Sequence, residues 1–213
     1  MKYIKIILII CVIVIGAADI IIYNYGIDLF SQIDGEDVPD NQKFVESLKN
    51  ASKYEEIWQE SMDKGVIIKI VSKLRSPSSL NKSMPEIKSS LAKSKDANEN
   101  TLKYLNNSKK FATNDIEKQY IDLLIQKANI NKKIYDSYAK MIIEYEKFAN
   151  KKLSAAELSK KMTDAKQDLI ENNAIDVDKT AINTKILILL KKNPDLQKKL
   201  EGMNINPAFL GQN

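Results

Sequence analysis

The chain has 213 residues, a net charge of +5 and 44% apolar residues, enough for one domain with a real core, or one domain and a small appendage. It has no His, one Arg (Arg75) and one Cys (Cys11), which removes the commonest ligands of zinc, haem and iron–sulfur sites and excludes nucleophiles that need a histidine base. Six Gly and five Pro are too few for a turn-dense β protein, so an all-α fold is expected.

The first element is an uncharged run from Ile6 to Ala18. Extended to residues 4–23 it is about 30 Å long as a helix, the thickness of a bilayer core, with Lys5 and Asp19 near its ends. Tyr3, Tyr23 and Tyr25 sit where interfacial aromatics belong. The run is apolar on all faces, unlike an amphipathic core helix. Residues 1–25 are therefore read as a signal-anchor touching the lipid bilayer through residues 4–23. A competing reading makes 1–18 a signal peptide, because Gly16-Ala17-Ala18 supplies the small residues of a cleavage site. The anchor is preferred because apolar residues resume at Ile20-Ile21-Ile22.

Lys2 and Lys5 precede the run, and no Lys or Arg follows it until Lys43. The positive-inside rule then puts the N-terminus in the cytoplasm and the rest outside, at the cell membrane, or secreted after cleavage. Cys11 lies mid-run after Ile10, which does not suit lipidation, and reads as apolar filler. Residues 26–40 form a connector broken by Gly26, Gly35 and Pro39. Asp34-Gly35-Glu36-Asp37 lacks the ligand spacing of a calcium loop and reads as a solvated turn.

A first helix is predicted from about Asp40. Phe44, Leu48, Ala51, Glu55, Trp58 and Met62 alternate at spacings of four and three, with Glu55 the polar exception. Val66 to Val71 is β-branched but has no partner strand, so helix is expected to Leu74. Ser76 to Ser83 reads as a loop, and Pro85 as the first position of a second helix. The inward face of that helix, Ile87, Leu91, Ser94, Asn98, Thr101 and Leu105, is polar in its middle. It is expected to contribute least to the core.

Thr113-Asn114-Asp115 breaks the second helix and caps a third, over about 115–150. Ile116, Tyr120, Leu123, Ile130, Ile134, Tyr138, Met141, Tyr145 and Phe148 make its stripe, with Lys127 the one gap. The tyrosines are read as core and not as a ligand ladder. Ser154-Ala155-Ala156-Glu157 is a capping box that opens a fourth helix, closed by Asn172-Asn173. A fifth runs from Asp178 to Lys192, and Asn193-Pro194 starts a short last one ending at Gly202. The tail Ile205 to Leu210 is apolar enough to dock on its own bundle.

Charge is uneven along the chain: residues 19–63 carry a net −8 and residues 64–112 a net +8, which favours antiparallel neighbours. The Lys pairs at 109–110, 132–133, 151–152, 160–161, 191–192 and 198–199 are interleaved with acids and read as solvated surface, with no nucleic acid as partner. Three Asn-X-Ser/Thr matches begin at Asn50, Asn81 and Asn106, and only Asn81 falls in an expected loop.

The fold class expected is an N-terminal transmembrane helix followed by an elongated antiparallel helical bundle, three long helices and shorter C-terminal ones. Its parts are a long-helix bundle at 41–150, short helices at 151–202 and a tail at 203–213. No residue is singled out as catalytic, cofactor-binding or metal-binding, and no cofactor and no enzyme activity are expected. The function expected is binding or scaffolding of an envelope component, protein or anionic surface polymer. The alternatives are a secreted helical protein with an external partner and, last, a carboxylate-dependent hydrolase.

Overall fold

Apolar residues three and four apart build α1, Asp40–Glu60, and bury Phe44, Leu48, Ala51 and Trp58 along one face. The helix opens on the carbonyl of Pro39, which accepts from the backbone N–H groups of Gln42 and Lys43. Ser61, Met62 and Val66 beyond it are π-helical and buried. The computed structural model describes residues 39–62, 66, 77–150, 152–171 and 173–212. The expected anchor at 4–23, the connector at 26–38 and the run 67–71 lie outside the described residues.

Five further helices follow: α2, Pro77–Phe111; α3, Asp115–Ala149; α4, Ala155–Glu171; α5, Asn173–Lys192; and α6, Pro194–Glu201. A 3-10 turn, η1, spans Pro207–Leu210. No strand occurs among the described residues, and none of their helices is long and apolar enough to cross a membrane.

The start of α2 departs from expectation. Pro77 is its first residue and Pro85 lies inside it, so residues 77–83 are helical and not a loop. Proline is tolerated at a helix start because the first N–H groups have no intrahelical partner. Pro85 removes one bond, to the carbonyl of Asn81. Burial of Ser83, Met84 and Ile87 on either side of it offsets that loss. Asn81 is thus helical, as are Asn50 and Asn106, and none of the three acceptor patterns lies in a loop.

The polar seam of α2 also behaves differently from the expected weak contributor. Ser94, Asn98, Thr101 and Ser108 are each at most 3% exposed, and α2 makes with α1 the most extensive helix–helix contact of the fold. The reason is size. Short side chains let two backbones approach, and their hydroxyls are satisfied locally: Ser94 Oγ donates to Ser90 O and Thr101 Oγ1 to Ala97 O. Ser108 Oγ reaches across to the carbonyl of Phe44 at 3.2 Å.

That contact, and the stacked rings of Tyr54 and Tyr104 with centroids 5.7 Å apart, make α1 and α2 antiparallel. The ion pairs Lys88–Glu146 and Lys109–Asp122 run from α2 to α3, which is antiparallel to it. α5 returns along α3, and α4 packs Leu158 against the cluster around Trp58, Ile87, Leu91, Ile142 and Tyr145.

The sequence-level caps are formed as chemistry dictates. Asn114 Oδ1 accepts from Glu117 N at 2.9 Å, and Ser154 Oγ from Glu157 N at 3.2 Å while Glu157 reaches back to Ser154 N. Asn193 is the N-cap of α6 with Pro194 first, as expected, but its side chain makes no capping bond and donates to Leu189 O at the end of α5. α5 itself starts at Asn173, five residues before the expected Asp178.

Candidate functional site

Two polar residues interrupt otherwise apolar stripes, Glu55 on α1 and Lys127 on α3. The fold puts both inside, each 2% exposed. They belong to one buried polar layer that crosses the bundle. Asn131, one turn after Lys127, is fully buried and donates through Nδ2 to both oxygens of Glu55, at 3.1 and 3.0 Å. Lys127 Nζ donates to Asn183 Oδ1 on α5 at 2.9 Å and to the carbonyl of Ala208 in η1 at 2.7 Å. Along α3 the layer separates fully buried Tyr120 and Leu124 from Ile142 and Tyr145.

Burying unlike charges costs solvation that mutual attraction only partly returns. Burial accordingly lowers the Lys127 ammonium to about 8 against the pull of Glu55, with Lys179 adding to the decrease. Burial raises Glu55 against the pull of Lys127, Asn131, Lys179 and Gln59. Both groups shift toward their neutral forms. Lys179 covers the layer on the α5 side, its Nζ 5.4 Å from the ring centre of Trp58.

The C-terminal segment seals the layer. Asn206 N donates to Ser52 Oγ at 2.6 Å, and Asn206 Nδ2 to Gln59 Oε1 at 3.3 Å. Tyr120, whose hydroxyl burial pushes well up, donates to Phe209 O at 2.8 Å. Ile205, Ala208 and Phe209 are buried, so the tail docks on its own bundle.

A second charged cluster fixes α6. Glu117, 4% exposed, accepts from Thr113 N and Thr113 Oγ1 through one oxygen and from Lys199 Nζ at 2.7 Å through the other. Burial works to raise this carboxyl, but Lys199 and Thr113 together hold it below the ordinary range. The same ammonium lies 4.4 Å from the ring centre of Phe44.

These groups hold elements together, and Glu117 and Lys199 also line an open cleft of about 380 Å³ with Asn114, Ile116, Pro194 and Asp195. Ser154 Oγ donates to Glu157 at 2.7 Å, an acid beside a hydroxyl, but both serve the helix cap. Among the described residues no group of three or more His, Cys, Asp or Glu is placed to hold a metal. Asp34 to Asp37 lies outside them.

Of the other features read from the sequence, Tyr120 and Tyr145 are buried, while Tyr138 is only partly so and Ile116 is 39% exposed. Among the described residues the Lys pairs are mostly solvated, with Lys109, Lys132 and Lys199 engaged to Asp122, Asp136 and Glu117. Sequence reasoning noticed Glu55 and Lys127 only as gaps in their stripes. The coincidence of a lone acid on one stripe and a lone base on another was the available signal. No family model, curated protein or solved structure matches this chain.

Proposed function

We propose that the chain is a non-catalytic, membrane-anchored helical protein whose bundle lies outside the membrane and binds or scaffolds an envelope component. The observation that carries this reading is the uncharged run Ile6 to Ala18, preceded by Lys2 and Lys5 and followed by no basic residue until Lys43. Two features of the bundle support a binding role. The internal charges are spent on holding helices together. Leu187 and Ile188 on α5 are 46% and 49% exposed beside the exposed Lys185, Lys191 and Lys192, a surface suited to an acidic partner with apolar side chains.

The intact mass of the protein, taken from the membrane pellet and from the medium, tests the anchor. Full-length chain in the pellet alone supports it. A chain beginning at Asp19 in the medium replaces it with the secreted reading, which Gly16-Ala17-Ala18 favours. Crosslinking in the intact membrane tests the partner: the adduct formed by the full chain is expected to weaken severalfold in Leu187→Glu/Ile188→Glu.

A further inference from the structure

The C-terminal segment is held as a bound peptide would be. Side chains of two helices read its backbone: Ser52 of α1 takes Asn206 N–H, and Tyr120 and Lys127 of α3 take the carbonyls of Phe209 and Ala208. An apolar socket takes Phe209, 2% exposed. Gly211 fits with φ +76, and a Cβ there would lie 2.7 Å from the carbonyl of Asn183. An empty groove would leave the buried Lys127 ammonium with Asn183 Oδ1 but without its carbonyl acceptor, so the groove favours an occupant that supplies a backbone carbonyl there.

The segment's connection to its own bundle is short and strained. Asn204 has φ +52, the one positive value at a non-glycine position among the described residues, and lies exposed between buried Met203 and Ile205. A short hinge under strain invites exchange of the element beyond it, because an extended hinge keeps every docking contact and relieves the strain. We propose that this groove is a docking site for the C-terminal segment of a second copy, and that two copies exchange residues 205–212 about Asn204 to form a dimer. The exchange requires only the bundle and holds with or without an anchor.

The test uses full-length protein in mild detergent with Cys11→Ser, so that two chains carry one thiol each, Ser52→Cys in one and Asn206→Cys in the other. After joint refolding and oxidation, exchange yields a dimer linked 52–206, which Gly211→Ala in the tail-donating chain abolishes. Linkage that forms only when both cysteines are in one chain overturns the proposal. Should neither arrangement link, light scattering on the Cys11→Ser chain decides. A dimer whose association falls about fivefold per hinge in Asn204→Gly supports exchange. A monomer at every concentration, or a dimer indifferent to Asn204→Gly, overturns it.

Discussion

At the residue scale, the buried pair Glu55 and Lys127 makes stability depend on pH in two windows of opposite sign. Lys127 is lowered from 10.5 to about 8, so between those values the unfolded chain binds more protons than the folded one. Stability therefore rises with pH across that window, by up to about 3 kcal/mol, and the rise disappears in Lys127→Met. Glu55 is raised from 4.5, so the folded chain binds more protons just above 4.5. Stability falls there as pH rises toward the folded value, and Glu55→Gln flattens that slope. Denaturant unfolding at a series of pH values measures both.

Removing one partner is a separate matter from titrating it. Lys127→Met takes one donor from Asn183 Oδ1 and from the Ala208 carbonyl and removes the larger of the two cationic pulls on Glu55, leaving that of Lys179. The expected loss at pH 7 is about 2–4 kcal/mol, part of which Glu55→Gln restores in the double variant. Glu117 carries the opposite dependence from Glu55. Its contribution is present above about pH 4.5 and is lost as pH falls through its lower folded value. In Lys199→Met, acid unfolding is expected to begin at a higher pH.

At the element scale, α2 shows how polarity and packing separate. Its inward face was legible in the sequence at Ile87, Leu91, Ser94, Asn98, Thr101 and Leu105, all of them buried. What misled was equating polar with weak. Small size brings the α1 and α2 backbones together, and a hydroxyl bonded within its own helix or to a neighbouring carbonyl adds little burial cost. Ser108→Leu is expected to drive α1 off α2 and cost about 3 kcal/mol. Lys95→Leu on the exposed face of the same helix is expected to change stability by less than about 0.5 kcal/mol. Thermal and denaturant unfolding of the two variants distinguishes a packed seam from a merely solvated one. Caps were easier to read, because Asn114 and the Ser154/Glu157 box act within one turn. Asn193 takes the N-cap position with Pro194 first in the helix, as its sequence suggests, but the end of α5 competes for the side-chain amide and holds it at Leu189 O.

At the scale of the whole molecule, the C-terminal segment ties α1, α3 and α5 together through Ser52, Tyr120, Lys127 and the Asn183 backbone. Hydrogen exchange is expected to protect the amide of Asn206, which is bonded to Ser52 Oγ, and to lose that protection in Gly211→Ala.

By itself the sequence determined that the chain is helical, where α3 runs and on which faces the apolar stripes lie, because helical periodicity is a property of neighbours three and four apart. It also determined the charge asymmetry about residues 4–23, which is a matter of composition. Only the tertiary structure decided that Glu55, Asn131, Lys127, Asn183 and the tail meet in one layer. The Lys127–Ala208 contact spans 81 positions of sequence, and no local pattern encodes which buried charge finds which acceptor. Burial also reversed the reading of Lys127: a lysine on a stripe looks like a solvent-facing gap until an acceptor from a distant element makes its interior position tolerable.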